Sequence, residues 1–163
     1  MVDLGTLPGY ASSEATGINS KGDVVGLVYK DEYAGYYDRR AFLYKDGTMT
    51  DLGGLPGYPR SCAYGINSAG QVVGTAYVGD FGESRAFLYS DGAMIDLSSL
   101  IDPALGWTIF EARGINDSGW IVGTMGSYAA LLTPIPEPST LVLLSTGAIS
   151  LLAYAWRRRK RTA

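Results

Sequence analysis

The sequence predicts an all-β protein of propeller-like, four-stranded repeat sheets, followed by one C-terminal transmembrane helix. Three observations predict it. A segment recurs with a period of 45–49 residues, each copy carries tight-turn signals between short apolar runs, and 18 charge-free residues near the C-terminus end in five consecutive cations.

Composition agrees with short strands and many turns. Hydrophobic residues make up 47% of the 163, charged residues only 18%, and there are 22 Gly and 12 Tyr. Five of the 13 Lys and Arg lie at 157–161, and every acid except Glu137 precedes residue 118. An acidic body with a basic terminus has no general attraction for nucleic acid, so that partner is excluded. The chain has no histidine and one cysteine, Cys62. An intrachain disulfide is therefore impossible, and the commonest general base and transition-metal ligand are absent.

The repeats come first along the chain. Asp3-Leu4-Gly5-Thr6-Leu7-Pro8-Gly9-Tyr10 returns as Asp51-Leu52-Gly53-Gly54-Leu55-Pro56-Gly57-Tyr58, and more weakly as Asp96-Leu97-Ser98-Ser99-Leu100. Gly17-Ile18-Asn19 returns at 65–67 and 114–116, and Val24-Val25-Gly26 at 72–74 and 121–123. Arg40-Ala41-Phe42-Leu43-Tyr44 returns at 85–89, and in decayed form at 128–132. The units run over about 11–52, 59–97 and 108–133, with 3–7 left over as a strand of the fourth type.

Each full unit yields four strands; in the second they fall near 63–67, 71–77, 85–89 and 94–97. Asn67-Ser68-Ala69-Gly70 is turn chemistry, because Asn bonds its own backbone and Gly supplies positive φ. Asp46-Gly47 and Asp91-Gly92 mark hairpins between the third and fourth strands. The longest loops, 30–39 and 78–84, join the second and third strands and differ between units, which makes them the place for recognition.

Alternation sets the faces. Val24 and Val28 point one way, and Val25, Leu27 and Tyr29 the other; Ala41 and Leu43 oppose Phe42 and Tyr44. Both faces are apolar, so sheets stacked face to face are expected, and the period fits propeller and kelch-type repeats. Gly26, Gly74 and Gly123 mark close approach of a neighbouring sheet or backbone. Strand 3–7 would complete the three-stranded last unit, as ring closure requires. Three sheets fall short of the usual ~4–8 blades, however. Either further repeats stand upstream or several chains pair. The opening MVDLGTLPGY also lacks a basic n-region and an apolar h-region, so a leader is expected upstream.

With its Asp-Leu-Gly, Gly-Ile-Asn, Val-Val-Gly and Ala-Phe-Leu elements, the region 3–133 resembles the HAF family of extracellular repeats. The resemblance implies β architecture and no established catalytic activity. The family's namesake histidine is replaced by Arg40, Arg85 and Tyr128.

Candidate chemistry is sparse. Asp3, Asp51 and Asp96, and Asn19, Asn67 and Asn116, recur at equivalent positions and read as turn and strand-end hydrogen-bonding groups rather than a repeated calcium or sugar site. Asn67-Ser68-Ala69-Gly70-Gln71 carries no acid, unlike a calcium loop, so no metal or other cofactor is expected. Tyr33, Tyr36 and Tyr37 are candidates for stacking on sugar rings, or simply line a solvated loop among Asp31, Glu32 and Asp38. No nucleophile elbow exists, and no acid stands outside the repeat or turn pattern as a glycosidase pair would. Cys62, just before a strand, has no evident activating partner.

Residues 134–138 form a Pro-rich linker. Pro lacks an N–H and biases its predecessor away from helix, so the linker is extended. The charge-free run 139–156 would span about 27 Å as a helix, against a hydrocarbon core of about 30 Å. Tyr154 and Trp156 suit the far interface, and 157–163 forms a basic tail. Its cluster Arg157, Arg158, Arg159, Lys160 and Arg161 places the C-terminus in the cytoplasm and the repeats outside.

Pro136-Glu137-Pro138-Ser139, one short apolar span and an Arg-rich end, in that order, resemble the PEP-CTERM sorting signal of Gram-negative bacteria. The resemblance implies export, anchoring in the inner membrane, recognition by an exosortase and cleavage near Pro136–Pro138. It also implies a place among surface or secreted proteins of exopolysaccharide and biofilm matrices. The expected function is a non-enzymatic matrix or adhesion component, with exopolysaccharide or further copies of the chain as partners. A carbohydrate-active enzyme and a membrane-anchored, self-associating subunit stand as alternatives.

Overall fold

The computed structural model describes residues 1–30, 38–79 and 82–134. The chain separates into two compact units, Met1–Thr133 and Pro134–Ala163. The first is all-β. Sheet 1 comprises β1 (Ser12–Ile18), β2 (Val24–Tyr29), β3 (Arg39–Lys45) and β4 (Thr48–Gly53). Sheet 2 comprises β5 (Arg60–Ile66), β6 (Val72–Tyr77), β7 (Ser84–Ser90) and β8 (Ala93–Asp96). Two short 3-10 helices, Leu97–Leu100 and Pro103–Leu105, lead to sheet 3, with β9 (Glu111–Ile115), β10 (Ile121–Met125) and β11 (Tyr128–Leu132). Each sheet is an antiparallel meander in chain order, and the described strands form no closed barrel.

Turn chemistry explains the meanders. Asp46 and Gly47 have φ of 50° and 78°, and Asp91 and Gly92 have 54° and 80°. Positive φ at both central residues matches the right-handed twist of the flanking strands. The first hairpin of each sheet closes on a second device: Gly22, Gly70 and Gly119 donate N–H to the carbonyls of Asn19, Asn67 and Asn116 at 3.0–3.1 Å.

The first strand of every sheet is bulged before its Gly-Ile pair, so Thr16, Tyr64 and Arg113 are the extra residues. A bulge bends the strand toward its neighbour. Of the two neighbours expected at Gly26, Gly74 and Gly123, a sheet or a backbone, it is the backbone that comes close. A Cβ on any of them would collide with a carbonyl of the same sheet's first strand, that of Glu14, Cys62 or Glu111, rather than with another sheet. The glycines that meet the adjacent sheet are Gly17, whose Cβ would lie 2.9 Å from the Tyr64 carbonyl, and Gly65, 3.0 Å from the Gly114 Cα.

The sheets stack in order. β5 lies against β1, β2 and β3, and β9 lies against β5, β6 and β7. Between sheets 1 and 2, Val25, Ala41 and Leu52 meet Leu55, Ala63, Ile66, Val72, Ala76 and Phe87. Between sheets 2 and 3, Val73, Ala86 and Leu97 meet Ile109, Ala112 and Ile121. A third cluster, Leu7, Val28 and Phe42 with Val24 and Tyr44, covers the outer face of sheet 1. The predicted faces of β2 and β3 are thus observed: Val25, Ala41 and Leu43 pack on one side, Val24, Val28, Phe42 and Tyr44 on the other.

Two expectations are corrected. Residues 3–7 form no strand and do not complete sheet 3. Leu7 instead packs on sheet 1, because its apolar side chain and the turn that joins the Tyr10 N–H to the Leu7 carbonyl keep it beside β1. Cys62 lies inside β5, not before a strand, and is buried. The apolar span expected at 139–156 lies outside the described residues. Among those described, no helix is long and apolar enough to cross a membrane.

Candidate functional site

The described unit is held by a polar ladder that the repeats create. In each unit the turn asparagine binds its own backbone through Oδ1: Asn67 accepts the Ala69 and Gln71 N–H groups at 3.1 and 3.0 Å. Its Nδ2 is then aimed at the next sheet. Asn19 Nδ2 donates to the Asn67 carbonyl at 3.0 Å, and Asn67 Nδ2 to the Asn116 carbonyl at 3.2 Å. Ser20 Oγ lies 2.9 Å from Ser68 Oγ, and Ser68 donates its N–H and hydroxyl to Asp117 at 2.8 and 3.0 Å. These two bonds from Ser68 hold the Asp117 carboxyl below its ordinary range.

The bulged residues continue the ladder. Thr16 Oγ1 donates to the Ala63 carbonyl at 2.7 Å, and the Arg113 guanidinium stands 4.5 Å above the Tyr64 ring. The recurring aspartates are spent on turns. Asp3, Asp51 and Asp96 each accept the N–H two residues on, from Gly5, Gly53 and Ser98, at 2.8–2.9 Å. That is local turn bonding, and it leaves these carboxylates dispersed over three separate turns.

A second cluster gathers Tyr29, Tyr64, Tyr77 and Cys62. Cys62 Sγ lies 3.5 Å from the Tyr77 hydroxyl, Tyr29 donates to Glu14 at 2.6 Å, and Arg39 stands 5.1 Å over the Tyr29 ring. Burial, reinforced by Glu14, pushes the Tyr29 phenol up to about 12. Burial, reinforced by Cys62, pushes Tyr64 up to about 12 and Tyr77 upward as well. Phenols shifted this way keep their protons through the physiological range, which suits packing and hydrogen-bond donation rather than base chemistry. A depression of about 400 Å³ lies beside β8, lined by Leu55, Pro56, Tyr58, Met94, Ile95 and Asp96. Its wall is apolar, with one carboxylate.

The residues that sequence reasoning selected all lie outside the described residues. Tyr33, Tyr36 and Tyr37 lie outside the described residues; their described flanks, Lys30 and Asp38, form an ion pair of 3.1 Å. Pro136, Glu137, Pro138 and Ser139, and the cluster 157–161, also lie outside them. What sequence reasoning missed is the ladder between sheets. Its signal was present in the constant 48- and 49-residue spacing of the turn asparagines, which places one polar side chain at the same height in every sheet.

Residues 134–160 match the family model described as the PEP-CTERM protein-sorting motif. No curated protein and no solved structure matches the chain. The motif is that of an exported protein targeted by an exosortase and destined for the cell envelope or surface.

Proposed function

We propose that the chain is cargo of the sorting machinery: an exported surface or secreted repeat protein that serves as a non-enzymatic component of an exopolysaccharide matrix or as an adhesion module. The observation that carries this reading is position. The sorting match begins at residue 134, where the compact repeat unit ends at Thr133. A protease working at 136–138 would release the folded unit intact, with the sorting residues acting as substrate. Until then the apolar run 139–156 anchors the chain in the inner membrane, repeats outside and basic tail inside.

Several features support the scaffold role. The recurring acids and asparagines are occupied by turns and by bonds between sheets. The resemblance of 3–133 to HAF repeats points to an extracellular structural unit. Successive sheets that meet through their first strands support a propeller-like arrangement. Within it, the variable loop that holds Tyr33, Tyr36 and Tyr37 is the proposed contact for glycan.

The test is to fuse an export signal to residues 1–163, express the protein with and without a matching exosortase, and locate the C-terminus by mass spectrometry. A released product ending near Pro136–Pro138, formed only with the exosortase, is expected. A full-length membrane product under both conditions would overturn the sorting reading.

A further inference from the structure

Three connections meet at one end of sheets 2 and 3. Because the strands of each meander alternate in direction, the link from β4 to β5, the β6–β7 connection and the link from β8 to β9 all lie at that end. Side chains tie them together. Tyr58, on the first link, donates its hydroxyl to Glu83 Oε2 at 3.0 Å. Arg85, near the start of β7, stands 5.3 Å over the Tyr58 ring and lies 3.7 Å from Glu83 and 3.8 Å from Asp96. Asp96 ends β8 and accepts the Ser98 N–H at 2.8 Å, at the opening of the last link.

Two aromatic rings on this surface are held by their backbones. Leu55-Pro56-Gly57-Tyr58 is a turn closed by the Tyr58 N–H on the Leu55 carbonyl at 2.8 Å, with Gly57 at φ 81°. Proline at the second place and positive φ at the third are what a type II turn requires. Leu55 is buried, so the turn is anchored. The depression beside β8 opens against Pro56, Tyr58, Met94 and Ile95, with Asp96 in its wall.

The link from β8 to β9 carries the second ring. Asp96 and Asp102 cap its two 3-10 turns, and Gly106 closes the second at φ 63°. Leu97 and Ile109 are buried at its two ends, and the Ile109 N–H bonds Ser98 Oγ at 3.0 Å. Between these anchors Leu100, Leu105 and Trp107 face outward, with Trp107 52% exposed. A ring two residues from a buried, hydrogen-bonded anchor has little freedom left to lose on binding.

Charge on this surface has one sign. Among the described residues of 54–59, 78–83 and 97–108 there is no lysine or arginine, and the charged residues are Glu83 and Asp102. Arg85, at the edge, is answered by both Glu83 and Asp96. Anionic ligands, whether phospholipid headgroups or acidic sugars, are therefore repelled. An apolar protein face would strip water from Glu83 and Asp96 and return no donors, which costs free energy. A neutral sugar answers each feature. Its C–H face is apolar and suits the negative face of an aromatic ring, and its hydroxyls donate to carboxylates. The depression, of about 400 Å³, has the size of a small-molecule site.

We infer that this end of the repeat unit binds an uncharged polysaccharide, with Tyr58 and Trp107 as stacking platforms and Glu83, Asp96 and Asp102 as acceptors of sugar hydroxyls. On the matrix or adhesion reading, on which this inference rests, the glycan is thereby neutral rather than acidic. Its contacts also extend beyond the loop of Tyr33, Tyr36 and Tyr37.

The test uses the full chain in a detergent without a sugar headgroup, run through gels that contain hydroxyethylcellulose, dextran or polygalacturonate. Retardation by at least one of the neutral polymers, and none by polygalacturonate, is expected. Trp107→Ala and Tyr58→Ala should each weaken retention at least about 10-fold. Trp107 is half exposed, so its variant should keep the wild-type circular dichroism spectrum. Stronger retention by polygalacturonate would overturn the inference, as would capture by phosphatidylglycerol vesicles in place of glycan. So would retention of both variants at wild-type strength by a neutral polymer. Glycan binding would then survive and the matrix reading with it, and loss of retention on joint replacement of Tyr33, Tyr36 and Tyr37 by Ala would move the site to their loop. No retention by any polymer would overturn the site and the glycan-binding role together.

Discussion

The Nδ2 of Asn67 donates to the carbonyl of Asn116, 49 residues away in sequence and 3.2 Å away in space. The same side chain donates to Gln71 Oε1 at 2.7 Å and accepts two backbone N–H groups. One amide therefore closes its own turn and ties sheet 2 to sheet 3. Because Asn67 is buried, each of these bonds is made where water cannot substitute.

Replacing Asn67 by Ala should accordingly cost about 2–4 kcal/mol, since several buried groups lose partners at once. Asn116→Ala, whose Nδ2 lies at the end of the ladder, should cost about 1 kcal/mol. Urea unfolding of the two variants measures the difference. Equal, small losses would mean that the ladder adds nothing between sheets.

The glycines divide into two kinds. Gly74→Ala puts a Cβ into the Cys62 carbonyl and against the Phe87 ring, both fixed by the buried sheet, and should cost about 3 kcal/mol or more. Gly70→Ala meets open space but holds φ at +83°, so about 1 kcal/mol is expected. Thermal melts should rank them in that order.

Ser61 sits fully buried between sheets, accepting the Ala41 N–H at 3.0 Å and donating to the Gly53 carbonyl. Ser61→Ala orphans both backbone groups and should cost about 1–3 kcal/mol. The equivalent Ser13→Ala, at the exposed end of the stack, should cost under about 0.5 kcal/mol in the isolated chain. Matched denaturation curves check the contrast.

The tyrosine cluster predicts alkaline sensitivity. Tyr29 and Tyr64 are pushed up to about 12 in the folded chain, chiefly by burial, against about 10 when unfolded. The folded state thus holds these protons more tightly. The contribution is intact below about pH 10 and is lost as pH rises from there through 12. Phenolate absorbance should show a fraction of the 12 tyrosines ionising late, together with unfolding. Titration of all twelve in one transition near 10, with the fold intact, would contradict the assignment.

Much of the fold was legible because local chemistry and pattern agree. Asp46-Gly47 and Asp91-Gly92 demand positive φ, and the structure has it there. The alternation of Val24, Val25, Phe42 and Leu43 sets which face each occupies, and those faces are observed. The role of Gly74 was less legible. Alternation gives a glycine's face but not the bulge that swings the Cys62 carbonyl beneath it.

By itself the sequence determined the repeats, the strands, their faces and turns, and the sorting motif at 134–160. These depend on residues close in the chain or on a motif read in linear order. Tertiary structure decided that residues 3–7 rest beside sheet 1 rather than complete sheet 3, and that the turn asparagines bond between sheets. It also decided that Val122 is left open where Val25 and Val73 are closed. The three valines occupy equivalent places in their units and differ, among the described residues, in whether another sheet packs on them, so burial here is a property of the stack.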